Sequence, residues 1–248
     1  MPTTAIDRLR GTQLWSRLRD WRYLHRHRGQ RRFLAGFIHR GDLVFDIGAN
    51  VGHYTLVAIS MGAQVVAVEP QAALAGHLRR RFSSRLQVQV LQCALGASSS
   101  TAALHKTPDQ TEIASLREDF SRRSRFASAH EFSQAETVEI LPFDELIARH
   151  GRPQFCKIDV EGYESAVLAG LNMALPSLSF EFNREFQDDT GRCLERLDQL
   201  GRYRYNYSLG ETYTLAEPRW LTSRELQAGL WLRPDPLLWG DIYARTAS

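Results

Sequence analysis

Two acidic side chains stand where a nucleoside could be held. Asp46 lies where the β-rich run of Leu43, Val44, Phe45 and Ile47 meets a turn, and Glu69 ends a second run, Val65 to Val68, 21 residues past Gly48. Between them come the turn Gly48-Ala49-Asn50-Val51-Gly52 and a helix that starts near His53. Gly48 and Gly52 let the backbone turn tightly and approach a ligand, while the helix start offers free N–H groups and a positive dipole end to an anion. An acid closing the second strand suits the two hydroxyls of a ribose. At Asp46 a polar side chain is expected to point into a crevice.

The spacing separates two ligands. A dinucleotide needs G-x-G-x-x-G for its pyrophosphate, whereas this chain has D-x-G-x-x-x-G, which disfavours nicotinamide cofactors. An acid ahead of the first glycine suits a ligand with an ammonium group. The amino-acid end of S-adenosylmethionine is one, and its carboxylate could take the N–H groups of the turn.

A second segment, Phe155 to Glu164, reads as a strand running into a helix that continues through Val167, Leu168 and Leu171. With a period of two, Lys157, Asp159 and Glu161 share one side. Together DIGANVGHYT, VVAVEP, CALG at 93 to 96 and KIDVEGYESAVLAG at 157 to 170 resemble the FkbM family of S-adenosylmethionine-dependent methyltransferases, over about residues 40 to 210. FDEL at 143 to 146 and SFEF at 179 to 182 are weaker matches.

The resemblance implies an α/β, Rossmann-like class I methyltransferase fold: a mostly parallel seven-stranded sheet, helices on both faces and an antiparallel last strand. It also implies that Asp46, Gly48, Asn50 and Gly52 hold the methionine portion of S-adenosylmethionine, Glu69 the ribose, and Cys93, Ala94 and Leu95 the adenine. Asp159 would face the methyl group, and S-adenosylhomocysteine would be the product. The acceptor it implies is a hydroxyl of a sugar, a glycan precursor or a secondary metabolite. The first 35 residues and residues 97 to 135 match nothing in the family, so substrate specificity is expected there.

An alcohol must lose its proton as it is methylated, which calls for a base within hydrogen-bond reach. Asp159 is the first candidate, Glu161 and Glu181 at neighbouring strand ends come next, and His53 is a reserve because its ordinary pKa suits proton transfer near neutrality. Lys157 with Asp159 or Glu161 could instead be a structural ion pair. Asp159 and Glu181 also offer oxygen ligands to a divalent cation, but two carboxylates make an incomplete set, so a metal is left open without support.

A chain of 248 residues that is 43% hydrophobic can bury a sizeable core. No linker divides it, so the expected organisation is a basic helical extension over residues 1 to 35 and one methyltransferase domain over 36 to 248. Further strands are expected at 86 to 91, 178 to 182, 203 to 207 and 241 to 244, with helices at 73 to 82, 143 to 150 and 193 to 200. Cys93, Cys156 and Cys193 show no metal-ligand spacing and suit buried thiols in a reducing compartment. The start lacks the apolar core of a signal peptide, and no run reaches the ~20 apolar residues of a membrane span. A soluble, cytoplasmic protein is expected.

Charge is unevenly placed. Through residue 40, ten arginines face only Asp7 and Asp20, giving +8 and leaving −5 of the total +3 for the rest. Leu14, Leu18, Trp21 and Leu24 recur at helical spacing among Arg17, Arg19, Arg22, Arg26 and Arg28. That stripe could pack on the catalytic domain as a roof or a homodimer seam, lie through residues 14 to 32 on an anionic membrane surface, or grip nucleic acid. Against a nucleic-acid base as acceptor, no [DNS]-P-P-[FYW] segment follows the fourth strand, since LPFD at 141 to 144 precedes it. An RNA methyltransferase, or a non-catalytic membrane-surface or partner-binding protein retaining the pocket, is the alternative. Residues 101 to 135 read as a long irregular insert that mixes a short strand, Ala102 to His105, with a polar stretch whose Arg117, Arg122, Arg123, Arg125 and His130 either recognise an anionic substrate or form a solvated face.

Overall fold

Apolar runs rich in valine, separated by amphipathic stretches, fold here as strands joined by helical crossovers. The computed structural model describes residues 13–107, 114–117, 119–125 and 132–247, with side chains from residue 19 onward. In chain order the elements are α1 (Gln13–Arg26), α2 (Arg28–Leu34), β1 (Leu43–Ile47), α3 (His53–Ser60), β2 (Gln64–Val68), α4 (Ala72–Arg81) and β3 (Val88–Leu91). An inserted unit follows: β4 (Ala94–Gly96), β5 (Ser100–Lys106), β6 (Ala114–Ser115), α5 (Phe120–Arg123) and β7 (Gln134–Pro142). Then come α6 (Phe143–His150), β8 (Phe155–Ile158), α7 (Glu164–Ala169), β9 (Ser177–Asn183), α8 (Gln187–Leu200), β10 (Tyr203–Leu209), α9 (Ser223–Leu230) and β11 (Trp239–Thr246).

The main sheet has seven strands in the order β3-β2-β1-β8-β9-β11-β10. All neighbours run parallel except β11, which is antiparallel to both β9 and β10. This is the Rossmann-like class I sheet that the sequence leads one to expect. Its strand order reverses beside β1, and a crevice at such a point lies beyond the carboxyl ends of the strands. Both faces are covered: Phe45 and Ile47 pack with Phe143, Leu168 and Leu178 on one side, and Val44 with Leu34, Leu56 and Val57 on the other.

The insert keeps the short strand expected at Ala102 to His105, inside β5, and departs from the irregularity expected of the rest. From Ser100↔Ile140 to Lys106↔Gln134, β5 and β7 pair antiparallel, and with β4 and β6 they make a second, four-stranded sheet. Leu104, Val138 and Ile140 close a small core with Ala94. The inward positions of β7 are few and set among Glu136, Thr137 and Glu139, so its period-two signal is weak in the chain. Its arginines are internally engaged: Arg117 bonds Asp119 and Asp189, Arg123 bonds Asp119 and Asp188, and Arg125 bonds Glu181. Arg117 and Arg125 are thus held by acids of the protein, Arg122 and Arg123 lie exposed as a solvated face would, and His130 lies outside the described residues.

The N-terminal segment packs on the domain. Leu34 and Ile38 are fully buried, and Tyr23, Leu24, Phe33 and Phe37 lie against the same core. Trp21, placed in the apolar stripe by its spacing, is instead 62% exposed. The inward face runs through Asp20, Tyr23, Leu24 and Gln30, because Asp20 finds a buried partner in Arg81, 3.0 Å away, whose guanidinium also donates to the carbonyl of Val51. The side chains of Leu14, Arg17 and Leu18 lie outside the described residues. Among the described residues no helix is long and apolar enough to cross a membrane. The three cysteines are buried and unpaired.

Candidate functional site

One cavity of about 290 Å³ opens at the carboxyl ends of the central strands. Its floor is the turn after β1. Gly48 has φ +77°, and a Cβ added there would fall 1.8 Å from the carbonyl oxygen of Asp159, so the turn can lie against the end of β8 only without a side chain. The backbone N–H of Asn50 donates to Glu69 Oε2 and that of Gln71 to Oε1, both at 2.9 Å, which ties the turn to the end of β2. Each carboxylate oxygen keeps a second lone pair, the requirement for accepting from a pair of ribose hydroxyls.

Opposite the turn, the sheet register gathers charges from four strands. Lys157 lies across from Asp46 on β1 and Ser179 on β9, and two residues along β9 Glu181 faces Asp241. Lys157 Nζ is 2.9 Å from Asp159 Oδ2 and 3.9 Å from Asp46 Oδ1. Asp159, Glu161 and Glu181 each bring an oxygen within 4.8 Å of the others, and Arg125 Nη2 donates to Glu181 Oε1 at 3.1 Å. Glu161 is held at φ +55° by the loop after β8, where buried Glu164 accepts from the N–H groups of Val160 and Gly162.

The Methyltransferase FkbM domain pattern matches residues 46–207, about two thirds of the chain. The chain belongs to the FkbM methyltransferase family. Two curated relatives are each 28% identical. The hexuronic acid methyltransferase AglP of Haloferax volcanii aligns over 141 residues, 56% of this chain and 54% of that one. The 31-O-demethyl-FK506 methyltransferase FkbM of Streptomyces tacrolimicus aligns over 162 residues, 54% of this chain and 61% of that one. The chain thus spans little more than half the length of these relatives. Among solved structures, an O-methyltransferase from Bacillus cereus in complex with S-adenosylhomocysteine superposes with a TM-score of 0.45 at 13% identity, covering 89% of this chain and 81% of that one.

The cofactor of the FkbM family is S-adenosylmethionine, and the residues present fit it. Gly48 leaves room at the turn, Glu69 has free lone pairs at ribose spacing, and Cys93, Ala94 and Leu95 give an apolar strip at the cavity's edge. Asn50, His53, Asp159, Glu161 and Glu181 line the same cavity. Two residues expected to touch the ligand stand behind the wall. Asp46 is fully buried and its Oδ2 accepts from Thr55 Oγ1 at 2.6 Å; strand alternation turns it, like Val44, to the face covered by α3. Gly52 packs toward Leu78 and Phe82 of the α4 region, where a Cβ would come within 2.7 Å of both side chains.

The FkbM pattern does not include the other wall. Tyr23 and Gln30 come from before it, and Glu211, Tyr213, Trp239 and Asp241 from after it. The inward i, i+7 spacing of Tyr23 and Gln30 was the only local sign of the first pair. Asp241 could be found only as the start of a closing strand.

Burial dominates the electrostatics. It pushes Glu69 to about 7, against the two backbone N–H bonds, and Asp241 to about 7 with help from the charge of Asp159. Glu161 is pushed by burial and by Asp159 to about 8, and Glu181 rises well above its usual range by burial and the charge of Glu161. Burial works against the charge of Lys157, but Asp159 and Asp46 outweigh it and hold its pKa above the ordinary lysine value. His53 is lowered to about 4 by burial and by Arg81, so it is neutral at pH 7 and a weak base.

Raised carboxylates favour folding only while they hold their protons. Unfolded, these acids are ionised above about pH 4.5. Folded, Glu69, Glu161 and Asp241 stay protonated to about 7 or 8, so from about pH 5 to 8 the folded state binds more protons and stability falls as pH rises. His53 has the opposite sign but acts only below about pH 6.5. The melting temperature of the ligand-free protein should therefore drop across this window, and Glu161→Gln should flatten the drop. A level wild-type profile would show that these groups are not desolvated.

Proposed function

We propose that the chain transfers a methyl group from S-adenosylmethionine to a hydroxyl oxygen of a sugar, a glycan precursor or a related hydroxylated metabolite. The observation that carries this reading is the cluster of strand-end carboxylates, Asp159, Glu161 and Glu181, set across one cavity from the Gly48 turn and Glu69. Bound there, S-adenosylmethionine supplies an electrophilic methyl on a sulfonium.

Glu69 holds the nucleoside end, the start of α3 just past the turn faces the amino-acid end, and Cys93, Ala94 and Leu95 cover the base. Asp46 acts from behind, fixing Thr55 of α3 and sharing Lys157 with Asp159. The cavity wall orients the acceptor oxygen in line with the methyl, which can lower the barrier by about 7–11 kcal/mol. Asp159 takes the hydroxyl proton, with Glu161 next to it as the second site for that proton. Because Lys157 and Arg125 already place two cations among the acids, no metal step is needed for this assignment. The helices before residue 36 serve as the roof of the domain that follows.

Aromatic rings alternate with carboxylates around the wall, as Tyr54, Tyr213 and Trp239 beside Glu211 and Asp241. Rings cover the apolar face of a sugar, and carboxylates accept from its hydroxyls. The test is transfer of an isotopically labelled methyl to a panel of neutral methyl glycosides, glycan oligosaccharides, polyketide alcohols and RNA. Label in an alkali-stable ether is the expected result; label in RNA, or S-adenosylmethionine binding without turnover on any member, would replace this reading.

A further inference from the structure

The amino-acid end of the methyl donor carries an ammonium, and the acid nearest in sequence does not reach it. Asp46 is turned behind the wall onto Thr55 and Lys157, and Asp159 is engaged by Lys157. A second acceptor at that end of the cavity would serve the ammonium directly. The N-terminal helices, which lie outside the family pattern, bring one to the cavity.

Tyr23 of α1 stacks between His27 at 4.1 Å and His53 at 4.2 Å. His53 opens α3 directly after the glycine turn, so the Tyr23–His53 stack stands at the end of the cavity beside the start of α3, whose positive dipole end suits the carboxylate. Helical hydrogen bonds continue through the junction of α1 and α2, from His27 N to Tyr23 O and from Arg31 N to His27 O. Gln30, two turns past Tyr23, therefore falls on the same face and also lines the cavity. It is 4% exposed, and its Oε1 is buried with no hydrogen-bond partner. Buried amide oxygens are nearly always paired, so this one is placed for a donor that arrives with a ligand. The buried Asp20–Arg81 pair, with Arg81 also on the carbonyl of Val51, fixes α1 against the turn and so fixes where Gln30 stands.

We propose that Gln30 Oε1 accepts a hydrogen bond from the α-ammonium of bound S-adenosylmethionine, and that Tyr23 stacked on His53 closes that end against water. The N-terminal helices are then part of the cofactor site. This rests on the methyl-donor reading above.

Calorimetry with two ligands tests it: S-adenosylhomocysteine and the same thioether nucleoside lacking the α-amino group. Gln30→Met, which keeps the length and removes the acceptor, is expected to weaken S-adenosylhomocysteine binding about tenfold, or about 1.4 kcal/mol, and to leave the des-amino ligand unchanged. Gln30→Glu keeps an acceptor and adds a charge, so it should bind S-adenosylhomocysteine at least as tightly as wild type and widen its preference over the des-amino ligand. Equal losses on both ligands, no loss in Gln30→Met, or a Gln30→Glu variant that does not discriminate between the ligands would overturn the assignment. Glu69→Ala, which removes the ribose contact, should weaken both ligands alike. A wild-type protein that binds neither ligand would bring down the methyl-donor reading itself, whereas intact binding indifferent to Gln30 removes only this inference.

Discussion

Asp159→Asn is expected to slow methyl transfer by about 10²–10⁴-fold while leaving S-adenosylhomocysteine affinity nearly unchanged. Asparagine preserves the shape at the end of β8 and can still accept a hydrogen bond from Lys157, now 2.9 Å from the carboxylate, but it cannot take the acceptor's proton. Turnover measured at saturating cofactor, beside calorimetric affinity, separates the two effects. If Asp159→Asn retained full activity, the proton would be assigned to Glu161, which is pushed to about 8 by burial and by Asp159. A base must be ionised to act, so in that case wild-type turnover would climb with pH through about 8, Asp159→Asn would move the climb to lower pH, and Glu161→Gln would abolish it.

Gly48→Ala should weaken S-adenosylhomocysteine binding by about 10²-fold or more and lower the melting temperature as well. The left-handed backbone at φ +77° costs a residue with a Cβ about 1–2 kcal/mol, and here the new atom would also fall 1.8 Å from the backbone oxygen of Asp159. A flexible side chain could give way, but a strand-end carbonyl cannot without moving β8. Displacing the turn breaks the Asn50-to-Glu69 hydrogen bond and shifts Asp159, so both ends of the cavity loosen together. Wild-type affinity in Gly48→Ala, read by the same calorimetry, would show that the turn does not support the ligand.

Much of the architecture was legible along the chain because it is recorded in local periodicity. The runs at Leu43–Ile47, Gln64–Val68 and Phe155–Ile158 are apolar but for one residue each, as strands covered on both faces tend to be, and the glycines after β1 mark a tight turn. Glu69 and Asp159 could be placed at strand ends for the same reason, whereas Glu181, expected to end its strand, lies two residues inside β9. Asp46 shows the limit of this reading. Its position at the end of β1 was clear, but whether its carboxylate met the cavity or α3 depended on which face α3 covers.

The chain alone determined the order of strands and helices, the glycine turn and the acids at the strand ends, because each follows from the preferences of residues a few positions apart. Tertiary structure alone decided that Tyr23 stacks on His53, that Gln30 reaches the cavity, that Asp241 faces Glu181, and that the insert forms a second sheet. These contacts join residues far apart in sequence. Their distances follow from sheet order, register and the packing of helices on a shared core, and no local pattern carries that information.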